Sequence, residues 1–319
     1  MGENYSAVIV THNRLKLLKE CLEHVENQTA AAGRIIVVDN ASEDGTTQYL
    51  REKSAADPRY TIIECRQNTG GAGGFERGIE YVCRISDREQ TDCVLLMDDD
   101  AILNVDYMEK ILAKRRINET YQAFAGTVQS NSAIDIWHRR RKVKNGIRQK
   151  LCPVSDYEKE DFECDIASFC GMVVDMDIIK KVGLPCGEYF IWNDDVEYSL
   201  RINKYTKFLV IPSARLNHKT AERKKKYPHR RYDWHEYYGI RNRLLYVRKH
   251  GTAWDRLINR ADMFVNIVFR NWIFGILRMD GYDWKYENTL IRKAYRDADV
   301  FYVESDIKRK PEEIYEWGE

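Results

Sequence analysis

"CVLLMDDDAIL", residues 93–103, is an apolar run that ends in three consecutive carboxylates, Asp98, Asp99 and Asp100. An uninterrupted apolar run of this length reads as a strand covered on both faces, as in a parallel sheet flanked by helices. Three adjacent like charges raise one another's cost of ionisation, so a positive partner is expected where that strand ends.

The pattern repeats upstream. "YSAVIVT" (5–11), "RIIVVDN" (34–40) and "YTIIEC" (60–65) are further apolar runs. Between them, "NRLKLLKECLEHV" (13–25), with Asn13 as N-cap, and "GGFERGIEYVCR" (73–84) space apolar residues as one face of a helix does. Right-handed βαβ winding follows, giving an α/β, Rossmann-like, mostly parallel sheet with helices on both faces. Ligands of such sheets gather at the carboxyl ends of the strands. The polar clusters Thr11–His12–Asn13, Asp39–Asn40, Asn68 to Gly74 and Asp98 to Asp100 each follow a strand, so four loops should meet at one mouth.

Regularity weakens from about 120 to 165, where "HRRRKVKNGIRQK" (138–150) is expected to be a solvated loop or a lid that meets phosphate. "FECDIASFCGMVVDMDIIKKVG" (162–183) returns to strand and helix, and "KFLVIP" (207–212) is the last strand of this domain. A first domain over 1–222 and a mainly helical region over 223–319 are expected. Within the latter, 260–279 reads as a long apolar helix broken by Asn266, Arg270, Asn271 and Arg278, too interrupted to span a bilayer. It is expected to pack on the domain or another subunit, or to lie on anionic lipid.

The 319 residues are 44% hydrophobic and 32% charged, an ordinary globular composition. Fifty-one Lys and Arg against 50 Asp and Glu give a net charge of +1, which argues against nucleic acid as a partner. Eight singly scattered cysteines suit a reducing compartment, and no secretory signal is visible at the start; a cytoplasmic location is expected.

Four clusters carry chemistry. Asp98 and Asp100, two apart, can point the same way and offer oxygen ligands to Mg2+ or Mn2+; the triplet equally suits a capping turn into a helix. "QNTGGAGGFERG" (67–78) opens a helix with glycines that admit a bulky ligand, but fits neither the dinucleotide fingerprint nor the Walker pattern. "WNDDVEY" (192–198) gathers Asp194, Asp195 and Glu197 beside Trp192, as a general base or as an acidic helix start. His218, just after the last strand, is a candidate metal ligand or a surface imidazole.

In this order, "VIVTHNR", "VVDNAS", "NTGGAGGFERG", "LLMDDDA", "FIWNDDVEY" and the later His resemble the inverting family-two glycosyltransferases of the GT-A fold, in the galactofuranosyltransferase and rhamnosyltransferase-like branch. The resemblance covers about Tyr5 to His218. It implies that Thr11, Arg14, Asp39, Asn68, Gly73, Gly74, Asp99 and Trp192 bind the nucleotide-sugar. It also implies Mn2+ or Mg2+ on Asp98, Asp100 and His218, with Asp195 as base and Asp194 on sugar or acceptor hydroxyls. The expected donor is UDP-galactofuranose, or a dTDP-sugar such as dTDP-rhamnose. The acceptor would be a glycan or lipid-linked glycan of the cell surface, with peripheral membrane contact at the inner face of the cell membrane and a homo-oligomer as further expectations. Asn193, between Trp192 and the acidic pair, departs from the galactofuranosyltransferase pattern and bears on the donor sugar. A nucleotidyltransferase and a non-catalytic nucleotide-sugar-binding module are the rival classes.

Overall fold

The computed structural model describes residues 4–143, 146–219, 233–269, 272–273, 276–277 and 283–304. The strands are β1 (Tyr5–Thr11), β2 (Arg34–Asp39), β3 (Tyr60–Glu64), β4 (Cys93–Asp98), β5 (Ala101–Leu103), β6 (Ala123–Ser130) and β7 (Ala133–Ile134). After these come β8 (Arg139–Lys142), β9 (Gln149–Leu151), β10 (Phe162–Cys164), β11 (Ile166–Ala167), β12 (Met172–Asp175) and β13 (Phe208–His218). The helices are α1 (Leu15–Glu26), α2 (Thr46–Ala56), α3 (Gly70–Glu89), α4 (Tyr107–Ile117), α5 (Met176–Val182), α6 (Asp194–Ile202), α7 (Trp234–His250), α8 (Ala253–Met263) and α9 (Trp284–Glu304). Two compact units result: 1–141, 150–190 and 195–220 in the first, and 142–149, 191–194 and 221–319 in the second.

The main sheet of the first unit runs β10-β13-β6-β12-β4-β1-β2-β3. Its β3, β2, β1 and β4 are parallel throughout, as the winding requires. Beyond β4 the sheet turns mixed, with β12 antiparallel to both β4 and β6. Every residue of β1 is buried, and Leu18, Cys21, Leu22 and Val25 of α1 close one face of the sheet while Phe75, Ile79 and Val82 of α3 close the other. Fully burying an aliphatic side chain of this kind stabilises by roughly 1.5–3 kcal/mol, so this two-sided core anchors the strand ends that carry the polar clusters.

Several expectations change on inspection. Asn13 is not the N-cap of α1; it sits at φ +53° with Oδ1 accepting from the Glu43 N–H, and Arg14 holds the cap position. The glycine-rich stretch opens a helix as expected, but α3 begins at Gly70, three residues ahead of the helix read from Gly73. Its glycines are there for packing: a Cβ on Gly74 would lie 2.4 Å from Val10, and one on Gly78 would lie 2.3 Å from Val8, so α3 rides directly on β1. Gly70, at φ +71°, would press a Cβ to 1.9 Å from the Phe190 carbonyl oxygen.

The basic run is no solvated loop at its start. Arg139–Lys142 is a strand antiparallel to Ile166–Ala167, and Arg139 is fully buried, donating to the carbonyls of Gly126 and Cys170, both at 3.1 Å. The last strand also outruns its expected end. A register irregularity between Ile211 and Arg215 is followed by renewed pairing that carries β13 through to His218.

In the second unit α7 begins with a capping box between Asp233 and Glu236, and α8 begins with one between Thr252 and Asp255. Tyr237 of α7 donates to Asp297 of α9 at 2.6 Å. The apolar helix expected at 260–279 starts earlier, at Ala253, and continues as a wider π-turn over Phe264–Phe269. Residues 270–271, 274–275 and 278–279 lie outside the described residues, as does 220–232.

Two glycines of α3 should respond in opposite senses. Gly78→Ala overpacks against Val8 and is expected to cost about 1–3 kcal/mol. Gly71→Ala meets nothing within 4 Å and should be neutral or stabilise by up to about 1 kcal/mol. Urea unfolding of both variants checks the contrast.

Candidate active site

Strand β4 delivers Asp98 at its last position, and the chain then turns through Asp99 and Asp100 into β5. Because β5 pairs antiparallel with the end of β13, His218 stands opposite Ala101 and the Lys219 N–H donates to the Asp100 carbonyl at 2.8 Å. This register brings His218 Nε2 to 3.2 Å from Asp100 Oδ1. The positive partner expected at the strand end is Arg14: its Nη1 lies 2.7 Å from Asp100 Oδ2 and 3.2 Å from Asp99 Oδ1. Thr11 Oγ1 donates to Asp99 Oδ2 at 2.7 Å. Two residues expected to hold a nucleotide-sugar thus also hold the acids in place.

Burial pushes the Asp99 carboxyl up to about 6, with Arg14 and the Thr11 hydroxyl pulling against it. Asp98 keeps some surface as a residue, yet desolvation of its carboxyl, followed by repulsion from Asp100, raises it well above the ordinary range. Asp100 goes the other way: burial opposes its charge, but His218 and Arg14 outweigh it. His218 is raised in turn, because Asp100 and Asp98 overcome its own desolvation.

A divalent cation suits this end of the sheet. His218 Nδ1 is buried without a hydrogen-bond partner, Asp100 Oδ1 faces only the His218 ring, and oxygen donors with one imidazole are what Mn2+ and Mg2+ accept. Among the described residues, the ligand atoms that gather within 4.8 Å of one another are those of Asp135, His138 and His218. The His138 ring meets the His218 ring edge-on at 5.1 Å between centroids, and its Nδ1 is 2.7 Å from Ser168 Oγ. Asp135 and His138 were not singled out in the sequence. His138 is the first residue of the basic run and Asp135 lies just before it, and only the folded chain brings them next to the end of β13.

On the other side of β1, Asp39 is buried and already accepts from the Ser42 N–H at 3.0 Å and from Thr47 Oγ1 at 2.5 Å. Asn68 Oδ1 accepts from Asn40 Nδ2 at 3.0 Å and from the Gly70 N–H at 2.8 Å. These bonds tie the β2 loop to the start of α3. Gly73 and Gly74 are buried in that first helical turn, Gly73 leaving room for the Thr69 side chain.

The acidic pair opens α6. Asp195 carries a carboxyl raised by desolvation, opposed by Arg140, by the Val196 N–H at 2.7 Å and by His138. Glu197 is not part of an acidic cluster: it is fully buried and paired with Arg201 at 2.9 Å. Asp194 is buried at the first position of the helix. The strap before it, Ile191–Asp194, groups with the second unit. Trp192 and Asn193 both adopt positive φ, +63° and +66°, a conformation that costs of order 1–3 kcal/mol per non-glycine residue unless held. Helix α7 holds it: Asn242 Nδ2 donates to the carbonyls of Ile191 at 2.9 Å and Trp192 at 2.7 Å. A Cβ on Gly239 would lie 3.0 Å from the Trp192 ring. The roles of Gly239 and Asn242 in "YYGIRNR" were not legible beforehand.

A half-parallel α/β sheet with a carboxylate–histidine–arginine cluster at its mouth defines a glycosyltransferase of the GT-A class. The chain belongs to glycosyl transferase family 2, which matches residues 6–183. It is 38% identical over 219 residues to galactofuranosyltransferase GlfT1 of Mycobacterium tuberculosis (strain H37Rv), covering 63% of this chain and 65% of that protein. GlfT1 of Mycolicibacterium smegmatis is 27% identical over 201 residues, 61% of this chain and 64% of that protein. The chain therefore spans just under two thirds of these relatives. The dTDP-rhamnosyl transferase RfbF of Shigella flexneri is 26% identical over 262 residues, 78% of this chain and 82% of that protein. The fold is shared with GalNAc-T7 crystallised with UDP, GalNAc and Mn2+, at a TM-score of 0.58 and 13% identity over 77% of this chain and 48% of that one. It is shared also with S. aureus TarS 1–349 in complex with UDP-GlcNAc, at 0.56 and 15% identity over 92% and 80%.

The Asp98 carboxyl, raised by burial, and the His218 imidazole, raised by Asp100 and Asp98, both keep their protons to higher pH than usual, so a cation held by them would have to displace a proton. Mn2+ affinity, read from the paramagnetic resonance of the free ion, should weaken about tenfold between pH 7.5 and 5.5. Asp100→Ala should abolish binding at either pH.

Proposed function

We propose that the protein is a metal-dependent inverting glycosyltransferase that moves galactofuranose from UDP-galactofuranose to a glycan or lipid-linked glycan acceptor in cell-surface polysaccharide synthesis. The observation that carries the reading is the meeting of Asp100 with His218 beside Arg14, with the second ring nitrogen of His218 buried and without a hydrogen-bond partner. Asp98, Asp100 and His218 would hold Mn2+ or Mg2+, whose chemistry is to draw charge from the departing nucleoside diphosphate. Arg14, already between two carboxylates, presents its half-exposed guanidinium to the same phosphates. The start of α3 adds its backbone N–H groups, which favour an anion, and Asp39 faces the base or ribose with its remaining lone pairs.

Asp195 is the base. A carboxylate whose proton affinity is raised by desolvation takes a proton from an attacking hydroxyl more readily than an ordinary aspartate at neutral pH. One direct displacement inverts the anomeric centre, so an α-linked donor gives a β-linked product. Asp194 binds sugar or acceptor hydroxyls, and Trp192 supplies an aromatic wall held rigid by α7. The eight cysteines are free thiols, which suits the cytoplasmic face where nucleotide-sugars are used.

A dTDP-rhamnose donor is the second reading. RfbF aligns over more of both chains than GlfT1 does, and Asn193 breaks the galactofuranosyltransferase pattern. A donor screen decides: enzyme with each nucleotide-sugar and a glycan acceptor should release UDP, not dTDP, and release should stop with EDTA. Release of dTDP alone transfers the assignment to rhamnose. Asp195→Asn should lower turnover by roughly 10²–10⁴ while leaving nucleotide binding within a few-fold, as calorimetry would show. Turnover at the native rate removes Asp195 as the base.

A further inference from the structure

Helices α7 and α8 and the short segment 147–149 border a cavity of about 380 Å³ inside the second unit. Helix α7 lines it with Arg243, Tyr246 and Val247, which are three and four apart and so share one face. Helix α8 lines it with Asp255, Ile258, Asn259 and Asp262, a face of the same spacing. The volume falls within the roughly 300–1,000 Å³ of small-ligand sites.

Charge narrows the ligand. The guanidiniums of Arg148 and Arg243 and the carboxylates of Asp255 and Asp262 cancel, and they are matched within the protein. Arg243 Nη2 donates to Asp262 Oδ2 at 2.7 Å. Burial works against the charge of Asp255, but the Thr252 hydroxyl, donating at 2.8 Å, the Ile147 N–H at 3.3 Å and Arg148 outweigh it. A phosphate or a cation would have to disturb one of these matches. A neutral ligand need not.

One polar group is left over. Asn259 is 6% exposed, its Nδ2 meets the weak acceptor Met263 Sδ at 3.4 Å, and its Oδ1 is buried without a hydrogen-bond partner. A buried, unmatched amide costs roughly 1–3 kcal/mol and calls for a donor such as a hydroxyl. Turning the amide over would only exchange the end that lacks a good partner. The planar polar side chains of Arg148, Gln149 and Arg243 line the same space and suit neighbouring hydroxyls, while Ile147, Val247 and the Tyr246 ring suit the C–H face of a ring.

We propose that this cavity binds a neutral polyhydroxylated ring, one sugar unit of the glycan that receives the transfer. That the ring belongs to an acceptor rests on the reading of the protein as a glycosyltransferase; the match to a neutral polyol does not. Helix α7 connects the two roles, since Asn242, which clamps the Trp192 backbone, directly precedes Arg243.

Saturation-transfer NMR on the full chain, with EDTA and without nucleotide-sugar, separates this binding from catalysis. Methyl β-galactofuranoside and methyl α-rhamnoside are the probes, with inorganic phosphate as the charged competitor. At least one glycoside should receive saturation that phosphate does not displace. Asn259→Leu and Arg148→Ala should each weaken that binding at least about tenfold, and the melting temperature of Asn259→Leu should hold or rise, because an apolar group of similar size replaces an unmatched polar one. Should Asn259→Leu fail to fold, Arg148→Ala, at an exposed position, decides the matter alone. Absence of saturation on both glycosides overturns the inference, as does saturation that survives both substitutions. Displacement by phosphate overturns it in favour of an anion site. Glycoside binding here beside a failed donor screen supports the polyol site and sinks the transferase reading; UDP release without glycoside binding does the reverse.

Discussion

The structure depends on holding three adjacent acids together at the buried end of a strand. Left to themselves, Asp98, Asp99 and Asp100 would take up protons or force the strand end open. Arg14 on one side and His218 on the other make the cluster tolerable, and each arrives from a different part of the chain. Arg14 stands at the start of α1, just after β1, and His218 ends β13, two hundred residues further on. The order of the sheet, with β4 beside β1 and β5 beside the end of β13, is what lets both reach the same carboxylates. Fold and chemistry are therefore one constraint: the sheet order that buries the apolar runs is also the order that compensates the acids.

Much of this was legible from residue pattern. Apolar runs with amphipathic stretches between them identify β1 to β4 and their winding, because burial on both faces leaves an unbroken hydrophobic signature. The demand for a positive partner at Asp98 to Asp100 followed from electrostatics alone, and the partner is Arg14. Less was legible where packing overrides local signals. Arg139 looks solvated in a run of bases but pays its desolvation with carbonyl hydrogen bonds that only the folded sheet supplies. The glycines of α3 look like a ligand loop, while their first duty is to let a helix lie against Val8 and Val10. Neither fact can be read from spacing, since both depend on what arrives from elsewhere in the chain.

The second unit falls on the less legible side. Its capping residues, Asp233 and Thr252, were not singled out in the sequence, and neither was the clamp of Asn242 on the backbone of Ile191 and Trp192, because an asparagine in a helix carries no local mark of a distant carbonyl. That clamp gives the tail motif "YYGIRNR" a physical purpose. It keeps two residues of a short strap in a left-handed conformation just ahead of the acidic pair, and a conformation so maintained presents its side chains in one arrangement rather than several.

The irregularity in β13 sets a limit on how this chain can vary. Side chains alternate faces along a strand, so loss or gain of one residue between Ile211 and Arg215 would rotate every later position by half a turn. The imidazole at 218 would then point to the opposite surface of the sheet, although hydrogen-bonded pairing could continue. In relatives, length across this short segment should be guarded more strictly than the identity of the residues that compose it.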